Sequence, residues 1–152
     1  MPATIRIQAE PFDAAGESAA LTAGRGDIGA VVAFTGLCRD EGGRLAALEL
    51  EHYPGMAEAE IGRIAAQAES RWPLLGLTVI HRFGMIRPGE EIVLVLTASA
   101  HRQAAFEAAS FLMDYLKTHA PFWKREHLED GTSGAWIEAK DTDDRAAERW
   151  SR

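Results

Sequence analysis

Two lysines on either side of a helix end are the residues of this sequence best suited to polar chemistry. Residues 113–126 read MDYLKTHAPFWKRE: a helical pattern carries Lys117 into its last turn, Pro121 ends the helix, and Lys124 follows two aromatic residues. Two ammonium groups directed at one enclosed, apolar region would hold an anionic or electrophilic ligand. The alternative is a pair of surface lysines whose stems cover apolar surface while their charges stay in water.

A second group of cations begins the same long helix. The sequence Ser99-Ala100-His101-Arg102 precedes the helical pattern, with Ser99 as a plausible N-cap. Cations in a first turn oppose the helix dipole, so His101 and Arg102 break a local preference. The free N–H groups of a helix start, together with an arginine, form a natural site for a phosphate or carboxylate. Alternatively, both side chains face solvent or pair with acids elsewhere.

A third candidate follows an apolar stretch that reads AVVAFTGLC over residues 30–38. Gly36 within this strand pattern predicts a bulge or the close approach of another backbone. Arg39 is then either a further anion ligand or the first residue of an exposed turn. Cys38 is the only cysteine, and a cysteine in an apolar strand is usually a small, inert hydrophobic residue.

Composition and spacing exclude several classes of function. The chain has 152 residues, the length of one domain, and we expect residues 1–152 to form it. A net charge of −7 disfavours nucleic-acid binding. No apolar run has the length of a signal peptide core or a membrane span, so we expect no membrane association and a cytoplasmic location. The histidines form no HxH or HxxxH pair and no glycine-rich phosphate loop occurs, so we expect no metal and no cofactor.

The elements that must position these cations alternate irregularly, which predicts an α+β fold. Hydrophobic periodicity predicts strands at 3–9, 28–39, 45–53, 77–82, 91–99 and 135–139. Helices are predicted at 11–23, 54–72 and 101–119 and from Asp141 onward, with a short segment at 122–125. The turn signal at 40–43 predicts that strands 28–39 and 45–53 form a hairpin, and residues 84–89 are expected to be a plain connection.

Several blocks resemble a known family in the order in which that family has them. They are AVVAFTGLCRD, LELEHYPGMAEAE, RWPLLGLTVIHRFG, ASAHRQAAFEAASFLMDYLKTHAPFWKRE and the terminal AAERW. Together they resemble the large, catalytic subunit of molybdopterin synthase. The resemblance implies an α+β fold of the α/β-hammerhead type, with a mixed or antiparallel sheet and two long helices. It also implies a homodimer whose subunits each bind a small ubiquitin-like sulfur carrier, giving a heterotetramer.

The activity that the resemblance implies is a sulfur transfer. The carrier ends in a Gly-Gly thiocarboxylate whose tail enters a pocket of the large subunit. Two sulfurs, from two carriers in turn, are transferred to cyclic pyranopterin monophosphate to make the dithiolene of molybdopterin. The sequence leaves open which lysine acts as acid or base, whether a lysine bonds covalently to the carrier, and the order of the steps.

The resemblance also implies roles for particular residues. It gives Lys117 and Lys124 as the two essential lysines and His101, Arg102 and Arg39 as the phosphate contacts. The remaining members of the substrate-binding set are Leu37, Cys38, Arg125 and Glu126. Leu37 stands where some members carry a basic residue and cannot share that role, and Cys38 lies outside the family pattern. Two other functions stay open: a non-catalytic pterin- or nucleotide-binding module, and a structural partner that regulates a sulfur carrier.

Overall fold

The computed structural model describes residues 3–40, 42–119, 121–137 and 150. Within these residues the chain forms seven strands and three α-helices. The strands are β1 (Thr4–Gln8), β2 (Ala30–Leu37), β3 (Leu45–His52), β4 (Leu74–Arg82), β5 (Gly84–Ile86), β6 (Glu91–Ser99) and β7 (Phe122–Leu128). The helices are α1 (Ala14–Thr22), α2 (Met56–Arg71) and α3 (Arg102–Thr118). This is the α+β class that the sequence predicted, with two long helices.

The larger sheet has four strands in the order β1–β4–β6–β2, and both of its faces are covered. β1 is parallel to β4, and the other pairs are antiparallel. Successive strand residues point to opposite faces. Val93 and Val95 therefore pack with α2 and α3, whereas Ile80 and Leu94 pack with Phe12 and α1. Burial on both faces explains why β4 and β6 read as nearly continuous apolar runs.

The smaller sheet has three antiparallel strands in the order β5–β3–β7. It starts where the larger sheet ends, because β4 is followed almost directly by β5. The turn between them uses Gly84, whose φ of 89° is a conformation that glycine adopts without a steric cost. Leu45, Leu50 and Ile86 form the core of this sheet together with Cys38. The arrangement sets β7 beside the end of β4.

The predicted hairpin between residues 28–39 and 45–53 is wrong. β2 pairs with β6 in the larger sheet, whereas β3 pairs with β5 and β7 in the smaller one. After β2, the backbone of Cys38 bonds to the β5–β6 connection: its N–H donates to Glu90 O at 2.8 Å, and its carbonyl accepts from Gly89 N–H at 2.7 Å. These bonds draw the chain away from its sequence neighbour and into the second sheet.

Three smaller predictions also need correction. Ser99 does not cap α3; it is the last residue of β6, its hydroxyl donates to Pro73 O at 2.8 Å, and His101 occupies the N-cap position. The connection at 84–89 contains the short strand β5. Of the predicted strand at 135–139, the described residues form an isolated bridge at Ile137. The remainder of that strand and the helix from Asp141 fall outside the described residues. Among those that are described, no helix is long and apolar enough to span a membrane.

Candidate active site

A small pocket lies beneath the last turns of α3. Its floor is a row of three residues on neighbouring strands, because Gly36 of β2 and His81 of β4 both pair with Val93 of β6. Paired residues of antiparallel strands share a face, so all three residues lie on the face of the sheet that α3 covers. The pocket has a volume of about 70 Å³. Its lining consists of Phe34, Gly36, Leu37, His81, Ile92, Val93, Met113, Leu116 and Lys117.

Gly36 keeps this pocket open. A Cβ atom at this position would lie 2.8 Å from Val93 Cγ1, closer than real Cβ contacts allow. The register of β2 also shifts between Gly36 and Leu37, so the expected bulge is confirmed, whereas the close neighbour of Gly36 is the Val93 side chain and not another backbone. Leu37 follows at the pocket rim with 55% of its surface exposed.

Lys117 lies where the sequence predicted it, in the last turn of α3. A positive charge there is favoured by the partial negative charge of the helix C-terminus. The side chain is exposed and lines the pocket. Lys117 and His81 are the two polar side chains of a lining that is otherwise apolar or glycine.

Lys124 lies on β7, and Phe122 ties that strand to the pocket. The Phe122 ring stacks on His81 with ring centroids 3.9 Å apart and planes at 17°. Residues two apart on a strand share a face, so Phe122, Lys124 and Glu126 lie on the same side of β7. Lys124 is half-buried, and its backbone forms two hydrogen bonds with Ile137, at 3.0 and 2.7 Å. The structure thus brings the strand that carries Lys124 against the pocket that contains Lys117.

Arg125 lies on the opposite face of β7 from Lys124. Its guanidinium stacks over the Trp136 ring at 4.2 Å from the centroid. His127, on the same face, bonds to Glu49 Oε1 through Nε2 and to Ser133 Oγ through Nδ1, both at 2.8 Å. These contacts attach residues 133–137 to β7. Arg125 therefore supports the strand from behind and does not join Lys124 on its face.

Cys38 and Arg39 follow β2 at the same end of the larger sheet as Lys117. Cys38 is buried, and its Sγ lies 3.7 Å from Ile86 O. Burial raises the pKa of this thiol, and the negative charges of Glu90, Asp40 and, more weakly, Glu126 raise it further. The thiol therefore stays protonated near neutral pH and is a poor nucleophile, as the sequence indicated. Glu126 pairs with Leu48 of β3, which packs against the cluster that contains Cys38. Arg39 itself is exposed.

His101 and Arg102 lie at the far end of α3 from Lys117. Fifteen residues separate Arg102 from Lys117 along the helix, which amounts to about 22 Å. β2 gives the same distance. Ala30 pairs with Ser99, three residues before α3 begins, and Leu37, seven residues further along β2, lies about 23 Å away. Within one chain, the structure does not bring His101 and Arg102 to the pocket that Lys117 lines (the lysine pocket).

The surroundings of His101 and Arg102 form an open groove of about 540 Å³, lined also by Gln103, Phe106 and Glu107. Both cationic side chains are exposed, and no side chain caps the first turn of α3. Glu107, the acid in the groove, already accepts hydrogen bonds from Gln103 at 3.1 Å and from the indole of Trp72 at 2.8 Å. The N–H groups of the helix start, the Arg102 guanidinium and the His101 ring thus remain available to an anion.

His81 is the pocket residue that the sequence did not single out. Its Nδ1 lies 2.8 Å from Arg82 O, so the hydrogen on that nitrogen is donated to the backbone. Burial lowers the pKa of His81 to about 4, and the charges of Lys117 and His52 lower it too, against the opposing effect of the bond to Arg82. The imidazole is therefore neutral near pH 7. The signal in the sequence was a lone polar ring at the end of the apolar run LTVIH.

No group of three or more histidine, cysteine or acidic side chains in the described part of the chain could hold a metal ion. The polar chemistry of the site rests on cations and one neutral imidazole.

Comparison with known proteins identifies the family. A family profile described as MoaE protein matches residues 7–119. The chain belongs to the MoaE family. It is 74% identical over 147 residues to the molybdopterin synthase catalytic subunit of Mesorhizobium japonicum, which covers 97% of this chain and 92% of the relative. The solved MoaE protein of Burkholderia ambifaria has a TM-score of 0.85 and 49% identity, and the match covers 99% of each chain.

A more distant structure from Helicobacter pylori shares the fold, with a TM-score of 0.69 at 21% identity over 90% of each chain. It is described as a protein–protein complex of subunits 1 and 2 of molybdopterin-converting factor. Membership of the MoaE family confirms the resemblance drawn from the sequence blocks. The roles of individual residues in this MoaE-family chain remain predictions.

Proposed function

We propose that this chain is the catalytic subunit of a molybdopterin synthase. It transfers two sulfur atoms, delivered as the thiocarboxylates of two carrier molecules, to cyclic pyranopterin monophosphate. The observation that carries the proposal is a small apolar pocket that Lys117 of α3 lines and whose His81 stacks on Phe122, the β7 residue on the same face as Lys124. The description of the relatives as molybdopterin synthase catalytic subunits supports it.

The dimensions of the pocket suit the carrier tail. With a volume of about 70 Å³, the pocket admits only a narrow group. A Gly-Gly end is the narrowest group that a polypeptide can present. Leu37 and Phe34, 55% and 39% exposed, provide apolar contacts at the rim. The small-subunit partner is supported further by the H. pylori structure, which is a complex of two subunits of molybdopterin-converting factor.

The charges suit the reaction. A thiocarboxylate and a phosphate are both anions, and bringing them together requires local positive charge in a chain whose net charge is −7. Lysine supplies a compact charge and a transferable proton, whereas arginine holds phosphate oxygens with its planar fork. Lys117 and Lys124 therefore act at the reacting carbon and sulfur, and Arg39 and Arg102 hold the phosphate. Cys38 takes no part, because its thiol is buried and protonated.

The helix length supports a site shared between two copies of the chain. Arg102 and Lys117 of one chain lie about 22 Å apart, too far for both to contact one small anion. A two-fold symmetric dimer resolves this, because His101 and Arg102 of one subunit can complete the lysine pocket of the other. This agrees with the homodimer, within a heterotetramer, that the family resemblance implies.

The test is an assay of dithiolene formation from purified carrier thiocarboxylate and the precursor. Lys117→Ala and Lys124→Ala are each expected to lower turnover on the order of 10²–10³-fold, because each removes a charge that stabilises the transition state. Both variants should keep the thermal transition of the parent chain. The chain has one other lysine, Lys140, and Lys140→Ala is the matched control.

Two other results would replace the proposal. Weaker precursor binding without a loss of saturated turnover in either lysine variant would indicate a non-catalytic binding module. Normal carrier binding without any dithiolene formation by the parent chain would indicate a structural partner of the carrier.

A further inference from the structure

His81 occupies the junction of the three elements that build the lysine pocket. It follows the buried run of residues 76–80 in β4, its ring stacks on Phe122 of β7 at 3.9 Å, and it lines the same pocket as Lys117 of α3. The stack and the bond from Nδ1 to Arg82 O fix both the plane of the imidazole and its rotation.

The fixed ring presents one kind of polar atom to the pocket. Because Nδ1 donates its hydrogen to the backbone, a neutral imidazole must carry a lone pair on Nε2. Nε2 is at the far end of the ring from the backbone, and the structure records no hydrogen bond to it from any described residue. Burial and the neighbouring charge of Lys117 keep the imidazole neutral at physiological pH. The charged or titratable groups that act on it are Lys117 of α3 and His52 of β3.

Lys117 needs a partner of this kind. The other side chains that line the pocket are apolar or absent: Phe34, Gly36, Leu37, Ile92, Val93, Met113 and Leu116. An ammonium group that moves from solvent into such a lining loses water and is stabilised only by a hydrogen-bond acceptor there. His81 Nε2 is the side-chain acceptor that this lining offers.

We propose that His81 is a positioning residue for Lys117, whose ammonium group donates a hydrogen bond to His81 Nε2 when a ligand fills the pocket. The bond holds the lysine over the reacting atoms and leaves its other two hydrogens for the anionic ligand. The inference rests on the proposed function, because it assigns Lys117 the charge-stabilising role described above. It adds a residue that was not among those predicted from the sequence.

Two substitutions separate the acceptor from the shape of the ring. His81→Phe keeps a flat ring on Phe122 and removes the acceptor, whereas His81→Gln keeps a polar acceptor near the position of Nε2. We expect H81F to lower saturated turnover about 10- to 100-fold, the usual effect of losing a hydrogen bond to a charged group. The precursor concentration at half-maximal rate should change by less than about threefold. H81Q should recover most of the turnover.

The matched control is His119→Phe, which changes a histidine two residues from Lys117 that does not line the pocket and stacks on Tyr115 instead. Its turnover should equal that of the parent chain. If H81F does not fold, as judged from its thermal transition, His81→Met supplies an apolar side chain of similar length.

A measurement on the unmodified protein tests the tautomer without any substrate. Nitrogen-15 NMR of the imidazole at pH 7 should show Nδ1 protonated and Nε2 unprotonated. A protonated Nε2 would overturn the inference, as would normal turnover in H81F or equal losses in H81F and H81Q. Failure of the parent chain to make dithiolene would overturn the proposed function instead, so the two failures are distinguishable.

Discussion

The separation of Arg102 from Lys117 leads to a subunit-mixing experiment. If each site takes Arg102 from one subunit and Lys117 from the other, a dimer of Arg102→Ala chains has two sites that lack the arginine. A dimer of Lys117→Ala chains has two sites that lack the lysine. In a mixed dimer, one site carries both defects and the other carries neither. Mixing two impaired proteins should therefore restore activity.

The size of the recovery follows from the symmetry. Random exchange between equal amounts of the two variants makes half of the dimers mixed, and each mixed dimer has one intact site of its two. About a quarter of the parental activity should return. The assay is dithiolene formation with the precursor well below its half-saturating concentration. Under that condition R102A alone is expected to be slower by about 10- to 100-fold, because it has lost a charge-assisted bond to phosphate.

The control uses Lys117 and Lys124, the two residues that the proposed function assigns to one site within a single chain. Lys117→Ala mixed with Lys124→Ala should restore nothing, because every site in the mixed dimer lacks one lysine. Native mass spectrometry with two different tags should show that mixed dimers form. If mixed dimers form and the R102A and K117A pair stays inactive, the shared site is refuted. A monomer by light scattering at micromolar concentration would refute it at once.

Three further predictions concern the pocket itself. The Cys38→Ser chain should still make dithiolene. The parent thiol should resist iodoacetamide at neutral pH, because burial and nearby carboxylates raise the pKa of Cys38. A C38S chain that folds but has no activity would require a persulfide relay. Gly36→Ala should cost about 1–3 kcal/mol in the free energy of unfolding by urea, because its Cβ would lie 2.8 Å from Val93 Cγ1. Adding Val93→Ala should recover part of that loss, and a neutral G36A would contradict the close approach. Finally, the pKa of His81 is about 4 in the folded chain, below its ordinary 6.5, so the unfolded chain binds more protons between these values. The free energy of unfolding should fall as the pH drops from about 6.5 to about 4, by at most roughly 3 kcal/mol because the ring is partly exposed. The H81F chain should lack this part of the pH dependence.

The long helices were predictable because their signals are local. α2 and α3 have apolar stripes of helical period, and proline residues stand close behind both. The position of Lys117 in a last turn followed directly. The same reasoning located the strands, since alternation shows which residues share a face. β4 and β6 could also be predicted, because burial on both faces of the larger sheet makes their sequences nearly continuous apolar runs.

The pairing of the strands could not be predicted in this way. Alternation says which way a side chain points but not which strand lies alongside, so the turn signal at 40–43 favoured a hairpin that does not form. β2 instead pairs along its length with β6, and the two backbone bonds between Cys38 and residues 89–90 continue that pairing. Those bonds join segments about 50 positions apart in the chain, and no local pattern encodes them.

The site shows the same division between local and long-range information. The family resemblance assigned Arg102 and Lys117 to one site, yet their spacing on one predicted helix already implied that they lie at opposite ends of it. His81 is a different case. Its importance depends on a row across three strands of one sheet and on a ring stacked from the other sheet. A family resemblance names the charged residues that act on the substrate, and the neutral side chain that holds one of them emerges only when the two sheets are seen together.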